Sequence, residues 1–405
     1  MAFNGALWSQ LPLEVVEQIL SFLPMPDLCR YCTTCKTWNE LIKNPAFNVL
    51  HVCNRNKHLP FIAIHSITTS IQDEYIDGSQ VLCFLDISSR KWYSMKPRDA
   101  LQTSFLFDLR YFQIVAMEGG LVLLKCLKRT PKLYYHEIDC TQLCVWNPIK
   151  NIKIKLPCVP GHNHIHSSSL LNFLIDDIAE TFKVFIIKLD WKSHGVDIYD
   201  SVIKEWKVSS KLDTNNMSMF QIIQTGVFQN LLYILCFEDA YELWRYNHVA
   251  DIWERLHFAE SFFVEPDYTY DIWHEEFIVS GKHLLLTYWC QLREFGEFDV
   301  FEVHEIDIQS RATKVLLTWT RTRIMTIFHI IDDDDRRYFP HIHVIGFNKS
   351  LMLVSNLSRN IVIFDIETKE TNFEWPQLPL RKLKVEEEYS LMGKQMDFLL
   401  PGTLK

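Results

Sequence analysis

The sequence predicts a small all-α module over residues 1–56, followed by an all-β platform over residues 57–405 built from repeated four-stranded units. Three observations carry this expectation. Apolar residues recur at helical spacing as far as Leu50 and alternate beyond Lys57. Aromatic content is 13%, with as many tryptophans as glycines (12 each), which favours strands over helices. A hairpin pattern then recurs six times, and a recurrence of that kind decides the architecture before any single element does.

The first helix opens at Pro12, whose missing N–H costs nothing in a first turn, with Glu14 beside the positive helix end. It carries two apolar stripes: Leu13, Val16 and Leu20 form one, and Val15, Ile19 and Phe22 the other. Pro24-Met-Pro26 stops it. Pro26 and Asp27 begin a second helical stretch that carries Leu28, Tyr31, Cys32, Cys35, Trp38, Leu41 and Ile42 and ends at Asn44-Pro45. Residues 46–52 can form a last short helix. A module of roughly fifty residues buries little surface by itself. The second stripe therefore either packs on the chain's own C-terminal part or docks a partner.

Leu11-Pro12 opening a helix, Ile19-Leu20-x-x-Leu23-Pro24, and Cys35-x-x-Trp38 followed by Leu41-Ile42 resemble an F-box over residues 8–50. The resemblance implies docking onto a Skp-type adaptor and, through it, a cullin–RING ubiquitin ligase. On that match, Leu11, Pro12, Ile19, Leu20, Leu23, Pro24 and Trp38 are expected in adaptor contact or in the local core, with the two roles undivided. The stretch Tyr31-Cys-Thr-Thr-Cys35 departs from the usual pattern. Cys29, Cys32 and Cys35 have a metal-like spacing, but no second Cys or His pair follows, so they are read as small packed hydrophobes.

In the second part an apolar strand repeatedly ends in Asp or Asn, and a Trp or substitute follows six positions later. Asp86 leads to Trp92, Asp200 to Trp206 and Asn247 to Trp253; Asn147, Asp307 and Asp365 head weaker copies. These six positions are separated by 61, 53, 47, 60 and 58 residues. The carboxylate or amide is expected to close the turn, and the indole to fill the gap between neighbouring sheets. Six units of about four strands predict a six-bladed β-propeller, near the kelch period of about 50 residues. The whole chain resembles plant-type F-box/kelch-repeat proteins, although the kelch Gly-Gly survives only at Gly119-Gly120. Two closures of the ring are open: residues 61–64 completing the last blade, or residues 390–400 completing the first. Longer connections are expected at 96–111, 158–172, 209–225, 257–277 and 318–340.

Function classes narrow accordingly. Net charge is −9 with no Lys/Arg run, which argues against direct contact with nucleic acid or an anionic membrane. No apolar run reaches the roughly 18 residues of a membrane helix, and no secretory pattern is visible at the N-terminus. Eleven cysteines, an odd number, fit a reducing cytoplasmic or nuclear compartment. No catalytic motif, metal set or cofactor site is found, so a non-catalytic protein without cofactors is expected. His162, His164 and His166 are read as an exposed loop, and Asp332 to Asp335 as a solvated one. The aromatic stretch with Phe262, Phe263, Tyr268, Tyr270 and Trp273 is a candidate target-binding loop. The resemblance thus implies a substrate-recognition subunit of a Skp–cullin–F-box ligase that recruits a target protein for degradation. An F-box scaffold or transcriptional co-regulator working outside a ligase, and a propeller enzyme with a central-channel site, are the alternatives.

Overall fold

The computed structural model describes residues 10–23, 25–44, 46–47, 50–51, 54, 61–70, 80–97, 112–127, 140–148, 152–160, 170–176, 181–188, 195–210, 212, 221–237, 241–258, 270–292, 299–330, 340–380 and 387–396. Among the described residues the helices α1 (Leu13–Ser21), α2 (Met25–Cys32) and α3 (Lys36–Lys43) come first, and residues 46–47, 50–51 and 54 are helical as well. Beyond them lie six four-stranded antiparallel sheets, arranged as the blades of a propeller.

Blade I is β1 (Phe61–Ser70), β2 (Gln80–Asp86) and β3 (Lys91–Met95), joined on the inside by β24 (Glu387–Met396). Blade II is β4 (Phe112–Glu118), β5 (Leu121–Leu127), β6 (Cys140–Asn147) and β7 (Ile152–Lys155). Blade III is β8 (Leu170–Asp176), β9 (Thr181–Lys188), β10 (Gly195–Asp200) and β11 (Glu205–Val208). Blade IV is β12 (Gln221–Phe228), β13 (Leu231–Phe237), β14 (Tyr241–Asn247) and β15 (Ile252–Leu256). Blade V is β16 (Tyr270–Ser280), β17 (His283–Leu292), β18 (Asp299–Asp307) and β19 (Ala312–Thr320). Blade VI is β20 (Ile342–Phe347), β21 (Ser350–Ser355), β22 (Ile361–Asp365) and β23 (Thr371–Asn372). The inner strands β24, β4, β8, β12, β16 and β20 neighbour one another in a closed ring. Closure therefore follows the second alternative: β24 pairs with β1 from Phe61↔Met396 to Ser70↔Glu387.

The recurring Asp/Asn does what its chemistry suggests. Asp86 Oδ1 accepts from the Ser88 N–H at 2.9 Å, Asp200 Oδ1 from Val202 at 2.8 Å, and Asn247 Oδ1 from Val249 at 3.0 Å. Asp307 and Asp365 repeat the bond with Gln309 (2.8 Å) and Glu367 (2.9 Å). Four positions after each of these stands a residue at positive φ: Arg90, Lys204, Asp251, Arg311 and Lys369. One side chain thus fixes a turn whose last residue is left-handed. The turns between the first two strands are tighter. They use Gly119-Gly120 in blade II but Gln229-Asn230, both at positive φ, in blade IV. This explains why the kelch Gly-Gly is lost without loss of the fold. Gly281 is required: its φ is +57°, and a Cβ there would sit 2.4 Å from the Asn348 carbonyl oxygen.

Six buried clusters fill the six gaps between blades. The gap between blades VI and I holds Ile62, Ile64 and Leu85 against Met352, Val354 and Leu378; the gap between II and III holds Leu123 and Val145 against Val184 and Ile186. Each sheet is covered on both sides, so its inner residues form nearly continuous buried runs rather than a clean alternation. The tryptophans of the repeat sit at the outer edge of these gaps and bond across them. Trp206 Nε1 donates to the Pro157 carbonyl at 2.8 Å, Trp253 Nε1 to Ser210 at 3.0 Å, and Trp92 Nε1 to Pro376 at 3.2 Å. Each acceptor lies just past the outer strand of the preceding blade. The expectation of a gap-filling indole is met, with a directional bond added.

Several expected connections are shorter than their sequence suggests. Residues 270–277 belong to β16, and 221–225 to β12. Part of the stretch 318–340 is strand and then a helix, α4 (Arg321–Phe328). Thr320 caps α4 by accepting from the Arg323 N–H at 3.4 Å, and Ile324 and Phe328 plug the gap between blades V and VI. The connection forms a helix here because Ile324 and Phe328, four apart and both buried, suffice to seat it. Residues 162–166 and 332–335 lie outside the described residues.

Replacing Trp206 or Trp253 by Phe keeps most of the buried area and removes one bond across the gap. Each variant is expected to lose about 1 kcal/mol in urea unfolding, and Ala at the same site more, because it also removes the partly buried indole from the gap.

Candidate functional site

The helical module is where structure and sequence motif meet. Helix α1 begins after Pro12, whose carbonyl accepts from the Val15 N–H at 3.0 Å. Val16 and Leu20 face inward at 3% and 1% exposure. They join Leu28, Leu41, Ile42 and Phe47 in one cluster that continues into Ala63, Leu82 and Phe84 of blade I and Ile114 and Val122 of blade II. Leu23, Tyr31 and Trp38 pack against it, half-buried, with the Tyr31 and Trp38 rings edge-to-face at 5.4 Å. The guanidinium of Arg30 lies over the Tyr93 ring on β3 at 5.5 Å, so α2 rests at the outer edge of the gap between blades I and II. His51 Nε2 bonds the Leu23 carbonyl at 3.2 Å, and Asn54 Nδ2 donates to Ser21 Oγ at 2.7 Å. These two contacts tie the end of the module to the C-terminal end of α1.

The N-terminal start of α1 has no such cover. Leu11, Leu13 and Val15 are 39%, 50% and 41% exposed, Pro12 is exposed, and Ile19 and Phe22 are half-buried. Three neighbouring aliphatic side chains in water on one short segment form an open apolar edge. The seven residues singled out by motif therefore divide. Leu20 lies in the core, Leu23 and Trp38 flank it, and Ile19 stands at the boundary. Leu11 and Pro12 stand on the open edge, while Pro24 lies outside the described residues. Leu13 and Val15 belong to the edge and were absent from the motif-based set. Membership of the second stripe was a signal for Val15, whereas Leu13 shares a stripe with the buried Val16 and Leu20, so only the packing reveals it.

Cys35 is an N-cap rather than a ligand: its Sγ accepts the Trp38 N–H at 3.5 Å at the head of α3. This gives the Cys35-x-x-Trp38 spacing a physical meaning, since the cap residue bonds the amide three positions on.

Of the candidate target loop, Phe262, Phe263 and Tyr268 lie outside the described residues. Tyr270 and Trp273 are strand residues of β16, paired with Leu292 and Trp289. The connection leaves β15 beside Phe258, which packs in the gap between blades IV and V. That gap also holds a polar group. Tyr288 Oη donates to Glu302 Oε2 at 2.8 Å, His304 Nε2 lies 2.8 Å from the same oxygen, and Thr318 Oγ1 donates to Oε1 at 3.1 Å. The bond from His304, followed by those from Tyr288 and Thr318, holds the Glu302 carboxyl below its ordinary 4.5 despite burial. Beside the central axis, Asn172 Nδ2 donates to Thr225 Oγ1 at 2.5 Å, and His343 stands 3.7 Å from Glu276. Among the described residues, no group of three or more His, Cys, Asp or Glu side chains is placed to hold a metal ion. No helix among them is long and apolar enough to cross a membrane.

Comparison with known proteins agrees with the geometry. Residues 8–50 match the F-box domain. The chain is 25% identical over 222 residues to the F-box protein At3g22700 of Arabidopsis thaliana, covering 53% of this chain and 57% of that one. It is 25% identical over 245 residues to the F-box/kelch-repeat protein At3g61590 of the same plant, covering 54% and 53%. The chain thus spans about half the length of these relatives. Among solved structures, a chain of the nidogen/laminin complex overlaps with a TM-score of 0.44 at 7% identity, covering 84% of this chain and 99% of that one. An oligogalacturonate lyase in complex with manganese overlaps at 0.40 and 9%, covering 77% and 78%. The propeller assignment rests on the strand order, not on these scores.

Two outcomes follow. Leu20→Ala is expected to cost about 2–5 kcal/mol because it empties a shared core, whereas Val15→Ala stays within about 0.5 kcal/mol; thermal unfolding separates them. A lowered carboxyl pKa stabilises the fold above 4.5, and this contribution is lost as pH falls through the lower folded value. Glu302→Gln is therefore expected to be less stable than the parent at neutral pH and to lose less on acidification, as urea titrations between pH 7 and roughly pH 3 would show.

Proposed function

We propose that this chain, an F-box protein with a kelch-like propeller of the plant type, is the substrate-recognition subunit of a Skp–cullin–F-box ubiquitin ligase. In this reading residues 1–56 dock the adaptor, and residues 57–405 hold a target protein. The carrying observation is the open apolar start of α1, with Leu11, Leu13 and Val15 exposed, on a helix that buries Val16 and Leu20 one turn further on. An F-box domain implies binding of a Skp-type adaptor, and an uncovered apolar edge on a firmly seated helix has the chemistry for it. Leu11, Pro12, Leu13, Val15 and Ile19 are then contact residues, and Leu20, Leu23 and Trp38 support them from below.

The chain would act by proximity. A helical module packed against blades I and II would carry a target at a defined offset from the adaptor, raising its effective concentration near a charged ubiquitin-conjugating enzyme. The residues Phe262, Phe263, Tyr268, Tyr270 and Trp273 remain the proposed target contact, in and beside the connection between blades IV and V.

Copurification with a Skp-type adaptor tests the docking half. The intact chain is expected to retain the adaptor, and Val15→Asp or Leu11→Asp to lower affinity at least about tenfold while melting normally. Leu20→Asp is unsuitable, because a charge at a site 1% exposed disrupts the core instead. An intact chain that ignores both adaptor and cullin would contradict the reading.

A further inference from the structure

The described cysteines fall into two groups. Cys83, Cys126, Cys144 and Cys236 are buried, and burial pushes the Cys83 and Cys144 thiols up to about 12. Such thiols give almost no thiolate and are inert. Cys32, Cys35 and Cys158 are reachable by solvent, and none is in a disulfide. Cys158 lies just past β7, between blades II and III. Cys32 and Cys35 are three positions apart, across the two-residue turn Thr33-Thr34 that joins α2 to α3.

Their settings are complementary. Cys35 is exposed, at the head of an eight-residue helix, with the Trp38 N–H directed at its sulfur at 3.5 Å. Cys32 is half-buried at the end of α2. Burial raises its thiol above the ordinary value, and Lys43 pulls against that rise. Arg30, before the pair in sequence, is taken up by Asp27 and the Tyr93 ring. A reachable thiol at a helix head, with a second one three positions before it, is a setting in which cysteines oxidise in preference to buried ones.

We infer that Cys32 and Cys35 act as a redox pair in the docking module, closing to a disulfide under hydrogen peroxide and thereby uncapping α3. The Cys35 thiolate attacks one peroxide oxygen; the O–O bond breaks, leaving a sulfenic acid and hydroxide. The Cys32 thiolate then attacks that sulfur, the S–O bond breaks and a second hydroxide leaves. With the two thiol protons, the peroxide ends as two waters, and the pair has lost two electrons. In the disulfide the Cys35 sulfur is redirected toward Cys32 and no longer accepts the Trp38 N–H. The first turn of α3, which positions Trp38 against Tyr31, then frays. Its effect on adaptor docking rests on the function proposed above; the disulfide itself does not.

The full chain is treated with hydrogen peroxide, quenched, alkylated and digested with trypsin. Both cysteines fall in one peptide, residues 31–36. That peptide is expected unalkylated and lighter by two hydrogens, and restored by dithiothreitol. In parallel, the amides of Trp38 and Asn39 are expected to exchange about 3- to 10-fold faster in the oxidised protein, the size of a lost helix cap. Cys35→Ser is expected to keep the cap, since serine accepts the same bond, and to be indifferent to peroxide. A peptide that stays fully alkylatable, or a disulfide that leaves both amides unchanged, overturns the inference. Adaptor affinity is read on the same samples, with a fall of similar size expected on oxidation. A reduced chain that does not bind adaptor counts against the proposed function and leaves the thiol result standing.

Discussion

A helical segment of about fifty residues cannot bury both flanks of its first helix, and the remaining architecture follows from that constraint. The structure resolves it by sharing a core. Val16, Leu20, Leu28 and Phe47 belong to the same buried cluster as Phe84, Ile114 and Val122. The body of α1 thus receives cover from the helices and the blades together, and its start, with Leu11, Leu13 and Val15, receives none. Tyr93 and Arg30 mark where the helices meet the rim. The module is seated rather than tethered, so an adaptor bound to the free edge would stand in a fixed relation to the propeller.

The seat depends on both ends of the chain. Blade I is built from three early strands and one late one, and its inner strand β24 brings residues 387–396 against residues 61–70. The outer rim is fastened as well. Arg90 donates to the Glu374 carbonyl at 3.1 Å and lies over the Trp375 ring, while Trp92 bonds the Pro376 carbonyl. The blade that carries the helices is therefore the blade that closes the ring, and opening the closure would disturb the shared core.

How much of this was legible in the sequence depends on whether the signal is local. The Asp/Asn turns were, because one side chain and the next two amides suffice to make them; Asp86, Asp200 and Asn247 behave as their chemistry requires. The cross-gap role of Trp206 and Trp253 was half legible: size was evident, but the accepting carbonyls lie more than forty residues away. The starts of β12 and β16 and the helix α4 were not, since a strand's end is set by its partner and α4 by a gap between blades. At the candidate site the motif found Leu11 and Leu20 alike. Only packing separates them, one at 39% exposure and the other at 1%, and the same packing adds Leu13 and Val15.

The most direct test is amide hydrogen exchange on the full chain with and without a Skp-type adaptor. The account predicts slower exchange concentrated in residues 11–19, with the outer strands of blades III to V unchanged. Protection on the propeller with none in residues 11–19 would contradict it, because the open edge of α1 would then not be the surface the adaptor covers.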